Sequence, residues 1–168
     1  MSGLVESLLA LARTDAGATP AEPVDAGAAV RERVQAWIPL ADERGVTLTF
    51  DLNGASMLWA GPQRLAQVLD NLVSNAIDHA PAGSAVTVSA RQAAPWVEIR
   101  VRDAGPGMSE EERARAFDRF WRAPRSRHGG SGLGLTIVKR LVEADGGEVA
   151  LTKAPGGGTE AVVRLRPA

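Results

Sequence analysis

Asn71 and Asn75, Asp103 within Asp103-Ala104-Gly105-Pro106-Gly107, and the glycines of Gly130-Ser131-Gly132-Leu133-Gly134-Leu135 are residues whose types and spacing could do chemistry. Two asparagines one helical turn apart project from the same side of a helix, and an amide oxygen there can serve a hard cation. A carboxylate set among glycines can accept a hydrogen bond from a base edge, because the bare backbone lets the base approach. Glycines that open a helix leave its free amides and the positive end of its dipole to phosphate oxygens. Taken singly, the three features read equally as a solvated helix face, an ordinary turn and a plain helix start. Taken together and in this order, they point to one nucleotide pocket.

The elements that must position these residues follow from periodicity. From Pro62, a favoured first helical residue, Leu65, Val68, Leu69, Leu72, Val73, Ala76 and Ile77 form an apolar stripe that Pro81 stops. Gln67, Asn71, Asn75 and Asp78 lie on its polar side. Upstream, Asp25 is expected to N-cap a helix whose Val30, Val34, Ile38 and Ala41 share a face, with a kink at Pro39 and an end near Gly45. Val46 to Leu52 alternates like a half-buried strand, and Asn53-Gly54 marks a turn before a short strand at Met57-Leu58-Trp59. Val86-Val88-Ala90 and Val97-Ile99-Val101 alternate across Ala93-Ala94-Pro95. Val149-Leu151 and Ala161-Val163-Leu165 repeat the pattern around Gly156-Gly157-Gly158. Ser109-Glu110-Glu111-Glu112 reads as a capping box, and Ile137, Val138, Leu141 and Val142 as one face of a helix ending at Gly146-Gly147. The expected fold class is α+β, a two-layer α/β sandwich whose mixed, largely antiparallel sheet is covered by helices on one face. At the start, Leu4 to Arg13 is a helix with apolar residues on more than one side. It is marginal unless it packs on something, and Gly17, Pro20 and Pro23 follow it as a linker.

Composition removes several function classes. The chain has 168 residues, enough to bury a core without disulfides, and its lack of cysteine excludes disulfides, thiolate metal sites and thiol nucleophiles. A formal net charge of -1 provides no basic field, so nucleic acid is not an expected partner. No apolar run approaches the roughly 18 residues that span a bilayer, and no signal segment opens the chain, so solubility is expected.

In their order the segments resemble the N, G1, F and G2 boxes of the ATP-binding catalytic domain of bacterial sensor histidine kinases, which has the Bergerat-type fold. Asn71-Leu72-Val73-Ser74-Asn75-Ala76-Ile77-Asp78-His79-Ala80-Pro81 stands as the N box and Phe117-Asp118-Arg119-Phe120-Trp121-Arg122 as the F box. The resemblance implies that Asn75 gives a carbonyl oxygen to Mg2+, and that Asp103 accepts a hydrogen bond from the adenine amino group while Gly105 and Gly107 admit the base. It implies that Gly130, Ser131, Gly132, Leu133, Gly134 and Leu135 meet the phosphates of ATP, with Thr159 near the pocket. Arg122 would lie near the γ-phosphate as the transition-state group. Phe117 and Phe120 would anchor their segment on the domain from a short helix, and the basic stretch Ala123 to Gly129 would cover the site as a lid. Two positions depart from the common pattern. Asp78 stands where a basic residue often meets phosphate, and is assigned to an outer position shielded by magnesium or turned outward. His79 stands where a tyrosine is frequent, and reads either as a nucleotide contact or as a structural helix end.

Related ATPases carry a glutamate where this chain has Asn71, and asparagine cannot act as a base at neutral pH. Asn71 and Arg122 are therefore the catalytic candidates, and the implied reaction is phosphoryl transfer from ATP to a histidine. The implied organisation is residues 1–16 as the end of a dimerisation and phosphoacceptor helix, 17–23 as a linker and 24–168 as the catalytic domain. Only His79 and His128 occur, neither in an acceptor-like setting, so the chain alone is not expected to autophosphorylate. The implied partners are the protein's own phosphoacceptor domain and a response regulator. The implied state is a monomeric fragment on the cytoplasmic side of a membrane-bound sensor. A regulatory nucleotide-binding module, a relative of the anti-sigma serine kinases, and an interaction domain without ligand remain as alternatives.

Overall fold

The computed structural model describes Val5, Leu9, residues 19–124 and residues 131–168. The rest of the expected first helix, residues 17 and 18 of the linker, and the segment 125–130, which includes Gly130 and His128, lie outside the described residues.

Strand β1 (Glu22–Asp25) leads into helix α1 (Ala26–Glu43), which Asp25 caps by accepting a hydrogen bond from the Ala28 amide at 3.0 Å. β1 begins inside the expected linker: Glu22 and Pro23 are in the strand and pair with Ala60 and Trp59. Pro23 and the shortness of the strand hide it from any alternation rule. Helix α1 runs through Pro39. Val30, Val34 and Ala41 are buried as expected, but Ile38 is 38% exposed. At 100° per residue Ile38 sits about 80° round the helix from Val30, at the edge of the buried stripe.

β2 (Thr47–Asp51) and β3 (Met57–Ala60) follow, then helix α2 (Pro62–His79). All seven apolar residues of the α2 stripe are buried to 3% exposure or less. At about 1.5–3 kcal/mol for each fully buried large side chain, this face fixes the helix to the sheet and turns its polar face outward. β4 (Ala85–Ala93) and β5 (Trp96–Arg102) make a hairpin, after which come the short helix α3 (Glu110–Arg115), α4 (Gly134–Ala144), β6 (Glu148–Lys153) and β7 (Thr159–Leu165). The five-stranded sheet has the order β2-β4-β5-β7-β6. Only the β2–β4 pair is parallel, and the crossover through β3 and α2 makes that pairing possible. β1 and β3 form a separate two-stranded ribbon.

Val97, Ile99 and Val101 of β5 and Ala161, Val163 and Leu165 of β7 point under the helices, so α1, α2 and α4 cover one face. The opposite face carries Glu98, bound by Arg100 at 2.7 Å and Arg164 at 3.0 Å, and Glu160, bound by Arg100 at 3.1 Å and Arg102 at 2.9 Å. This is the expected sandwich of mixed, largely antiparallel sheet and one helical layer. One buried carboxylate joins α2 and α4. Asp145, just past the end of α4, accepts from the Gly61 amide at the start of α2 and from Arg64 Nε, each at 3.1 Å. Arg64 Nη1 also donates to the Thr19 carbonyl at 2.7 Å.

Candidate functional site

The polar face of α2, the start of α4 and the ends of β5 and β7 enclose one continuous cleft. Its larger part, of about 230 Å³, is lined by Asn71, Ser74, Asn75, Asp78, His79, Arg122, Ser131, Gly132, Gly134 and Leu135, among others. A smaller part, of about 30 Å³, is lined by Asn75, His79, Asp103, Gly107 and Thr159, among others. Asn75, His79, Met108 and Ala123 belong to both parts and join them. The separated asparagine, carboxylate and glycine positions thus meet in space.

Asp103 continues the β5 ladder by donating its amide to the Thr159 carbonyl at 3.0 Å. Its Oδ1 accepts from the Gly105 amide at 2.8 Å and the Thr159 amide at 3.2 Å. Among the described residues Oδ2 accepts no hydrogen bond, and no buried side-chain oxygen is left without a partner, so Oδ2 opens on the pocket. Burial raises the Asp103 pKa, against the opposing pull of the two backbone amides and of His79. Glycine is needed around it. A side chain at Gly105 would meet the His79 carbonyl at 2.7 Å, and one at Gly158 would run into the Asp103 carbonyl.

Asn71 donates its Nδ2 to the Gln67 carbonyl at 2.9 Å, one turn back, which leaves Oδ1 toward Gly134. The side-chain amide of Asn75 makes no hydrogen bond among the described residues and lines both parts of the cleft, so its oxygen is available. His79 Nδ1 lies 2.8 Å from the Asn75 carbonyl, which can only accept, so the ring donates there and turns Nε2 away from the helix. Asp78 is held by Arg44, Nη1 to Oδ1 at 3.3 Å, at the rim. At the other wall Leu133 is the N-cap of α4 with no side-chain cap, so the first amides of the helix stay open beside Gly132 and Gly134.

Four placements differ from the sequence-based expectation. Leu133 is fully buried in the core and does not line the cleft, so only its backbone can serve a ligand. Gly105 supports Asp103 from beneath and lines neither part. Phe120 is 58% exposed with φ 62°, so it does not anchor; Phe117 is half-buried under Lys139. The segment from Phe117 to Phe120 is a series of turns after α3, held on the domain through its main chain: the Phe120 amide donates to the Gly132 carbonyl at 3.0 Å and the Phe117 carbonyl accepts from the Thr136 hydroxyl at 2.9 Å. Ser74, Met108, Trp121 and Leu151 also line the cleft. Ser74 was legible, being three residues past Asn71 on the same helix. The other three carry no polar signal.

The profile of the histidine kinase-, DNA gyrase B-, and HSP90-like ATPases matches residues 60–168. The chain is similar to signal transduction histidine-protein kinase AfsQ2 of Streptomyces coelicolor, at 37% identity over 98% of this chain and 30% of that protein. It is similar to signal transduction histidine-protein kinase BaeS of Escherichia coli, at 33% identity over 98% of this chain and 36% of that protein. Among solved structures, full-length ShkA in complex with AMPPNP superposes with TM-score 0.82 at 32% identity, over 98% of this chain and 36% of that one. The chain thus spans about a third of the length of the curated relatives it matches, 33% and 30% for two of them.

Proposed function

The chain belongs to the histidine kinase-, DNA gyrase B-, and HSP90-like ATPase family, and from that premise we propose that it binds Mg-ATP and gives the γ-phosphoryl group to a histidine on a separate dimerisation and phosphoacceptor hairpin. The observation that carries this reading is the single cleft with Asp103 at one end and the uncapped start of α4 at the other. The adenine amino group donates to Asp103 Oδ2. The phosphates take the open amides around Gly132 and Gly134, and Arg122 stands at the larger end to meet the charge that develops on the transferred group.

The donor set fits magnesium carried in with the nucleotide. Asn75 offers one neutral oxygen, and no group of three His, Cys, Asp or Glu that could hold an ion exists among the described residues. A magnesium ion that takes its other ligands from phosphates and water suits that arrangement and would neutralise phosphate charge. Asn71 has its amide nitrogen committed to Gln67 and its oxygen is no base, so the residue one turn before Asn75 does not activate water. A neutral imidazole needs no such help, which favours histidine over water as the acceptor. The onward partner is a response regulator, and the ATP supply places the domain in the cytoplasm; no helix of the described residues is long and apolar enough to cross a membrane.

The test is to mix the chain with a phosphoacceptor hairpin and labelled ATP. Acid-labile label is expected on the hairpin and none on the chain alone. Nucleotide binding without transfer would instead leave a regulatory module.

A further inference from the structure

Asp78 lines the larger part of the cleft from the same helix as Asn71 and Asn75. A carboxylate there repels the triphosphate unless its charge is offset. Arg44 provides the offset. Its Nη1 lies 3.3 Å from Asp78 Oδ1, with side-chain exposures of 37% and 36%.

The geometry that brings them together is built from backbone. Arg44 is the C-cap of α1, with its amide returned to the Leu40 and Ala41 carbonyls, at a helix end whose dipole favours a cation. The Gly83 amide donates to the Gly45 carbonyl at 2.7 Å and the Thr47 amide to the Ser84 carbonyl at 2.9 Å. These bonds fasten the end of α1 to the turn that follows α2, so Arg44 and Asp78 are carried on two joined helix ends. A pair this exposed adds little to stability, so its consequence lies in the field at the mouth of the cleft.

We propose that Arg44 is an affinity-determining residue of the nucleotide site, acting without touching the ligand by holding and neutralising Asp78 so that the cleft admits a triphosphate. This rests on the nucleotide reading above. If Asp78 instead served magnesium through a water molecule, removing its charge would weaken binding; if it is a masked repulsive charge, removing it strengthens binding.

Calorimetric titration of the parent chain, Arg44→Ala, Asp78→Asn and the double variant with a non-hydrolysable Mg-ATP analogue decides it. Arg44→Ala is expected to weaken binding roughly three- to tenfold at low salt and less at high salt. Asp78→Asn is expected to tighten binding, Arg44→Lys to stay close to the parent, and the double variant to recover what Arg44→Ala loses. No effect of Arg44→Ala, a double variant as weak as Arg44→Ala, or weaker binding by Asp78→Asn would each overturn the proposal while the parent still binds. A parent chain that binds no nucleotide would overturn the proposal together with the reading beneath it.

Discussion

At the scale of single residues, Asp103 shows how a site can work against the fold that holds it. Its carboxylate is 8% exposed, and burial raises its pKa even though two backbone amides donate to Oδ1. A carboxyl group whose native pKa is raised destabilises the fold once it ionises. The penalty grows as pH rises from the ordinary value of 3.8 through the raised native value, is constant above that, and is absent below 3.8. Asp103→Asn keeps an oxygen for the Gly105 and Thr159 amides but presents an amide nitrogen to the pocket. The free variant is therefore expected to unfold at the same temperature as the parent or higher at pH 7, with any gain vanishing as the pH is taken below 3.8. Its nucleotide affinity should fall by about 1.5–3 kcal/mol, the worth of a hydrogen bond to a charged acceptor. Melting curves against pH, together with a titration, check both halves; a variant that loses stability and affinity in parallel would make Asp103 a structural residue. The position of Asp103 was legible because glycines on its C-terminal side mark a close approach. Its support by Thr159 was not, because a contact across 56 residues leaves no local pattern.

At the scale of elements, the long periodic segments were legible and the short or backbone-held ones were not. The α2 stripe and the alternating β4, β5 and β7 announce themselves because each repeats its period several times against one core. β1 has four residues, one of them proline, and exists because β3 pairs with it. The aromatic content of Phe117 to Phe120 suggests a buried anchor, whereas these turns attach through their main chain, to the Gly132 carbonyl and the Thr136 hydroxyl. That attachment sets a sharp requirement. A side chain at Gly132 would meet Phe120 C at 2.7 Å and Trp121 O at 2.9 Å, in a backbone of φ 71°. Gly54, at φ 82°, has nothing within 4 Å and bears only the conformational term. Gly54→Ala is thus expected to cost about 1–2 kcal/mol of stability and leave nucleotide binding unchanged. Gly132→Ala must also push the Phe117–Phe120 turns off the start of α4, and should lose most of its nucleotide affinity. Paired unfolding and binding measurements on the two variants test this; equal binding by both would mean that the contact between these segments does not shape the phosphate end.

At the scale of the whole molecule, the cleft exists only when distant parts of the chain are assembled. Its walls come from α2, the turn after β5, the start of α4 and the start of β7, and the Asp145 contacts with Gly61 and Arg64 tie the beginning of α2 to the end of α4. An unfolded chain has none of this, so a ligand of the cleft binds the native state alone and must raise its stability by mass action. At a free concentration of about one hundred times Kd the gain is about 2.7 kcal/mol, which for a domain of this size corresponds to a rise in Tm of about 5–10 °C. Magnesium should control most of that rise, since Asn75 offers the ion one oxygen and cannot hold it without the phosphates. Thermal unfolding with a non-hydrolysable ATP analogue is therefore expected to show the full shift with magnesium, a much smaller one with excess chelator, and about half of it or less for Asp103→Asn. The corresponding guanine analogue, which presents a carbonyl to Asp103 where adenine presents an amino group, should leave Tm nearly where it stands without ligand. A shift of the same size with the guanine analogue, or one indifferent to the chelator, would place the binding outside this cleft.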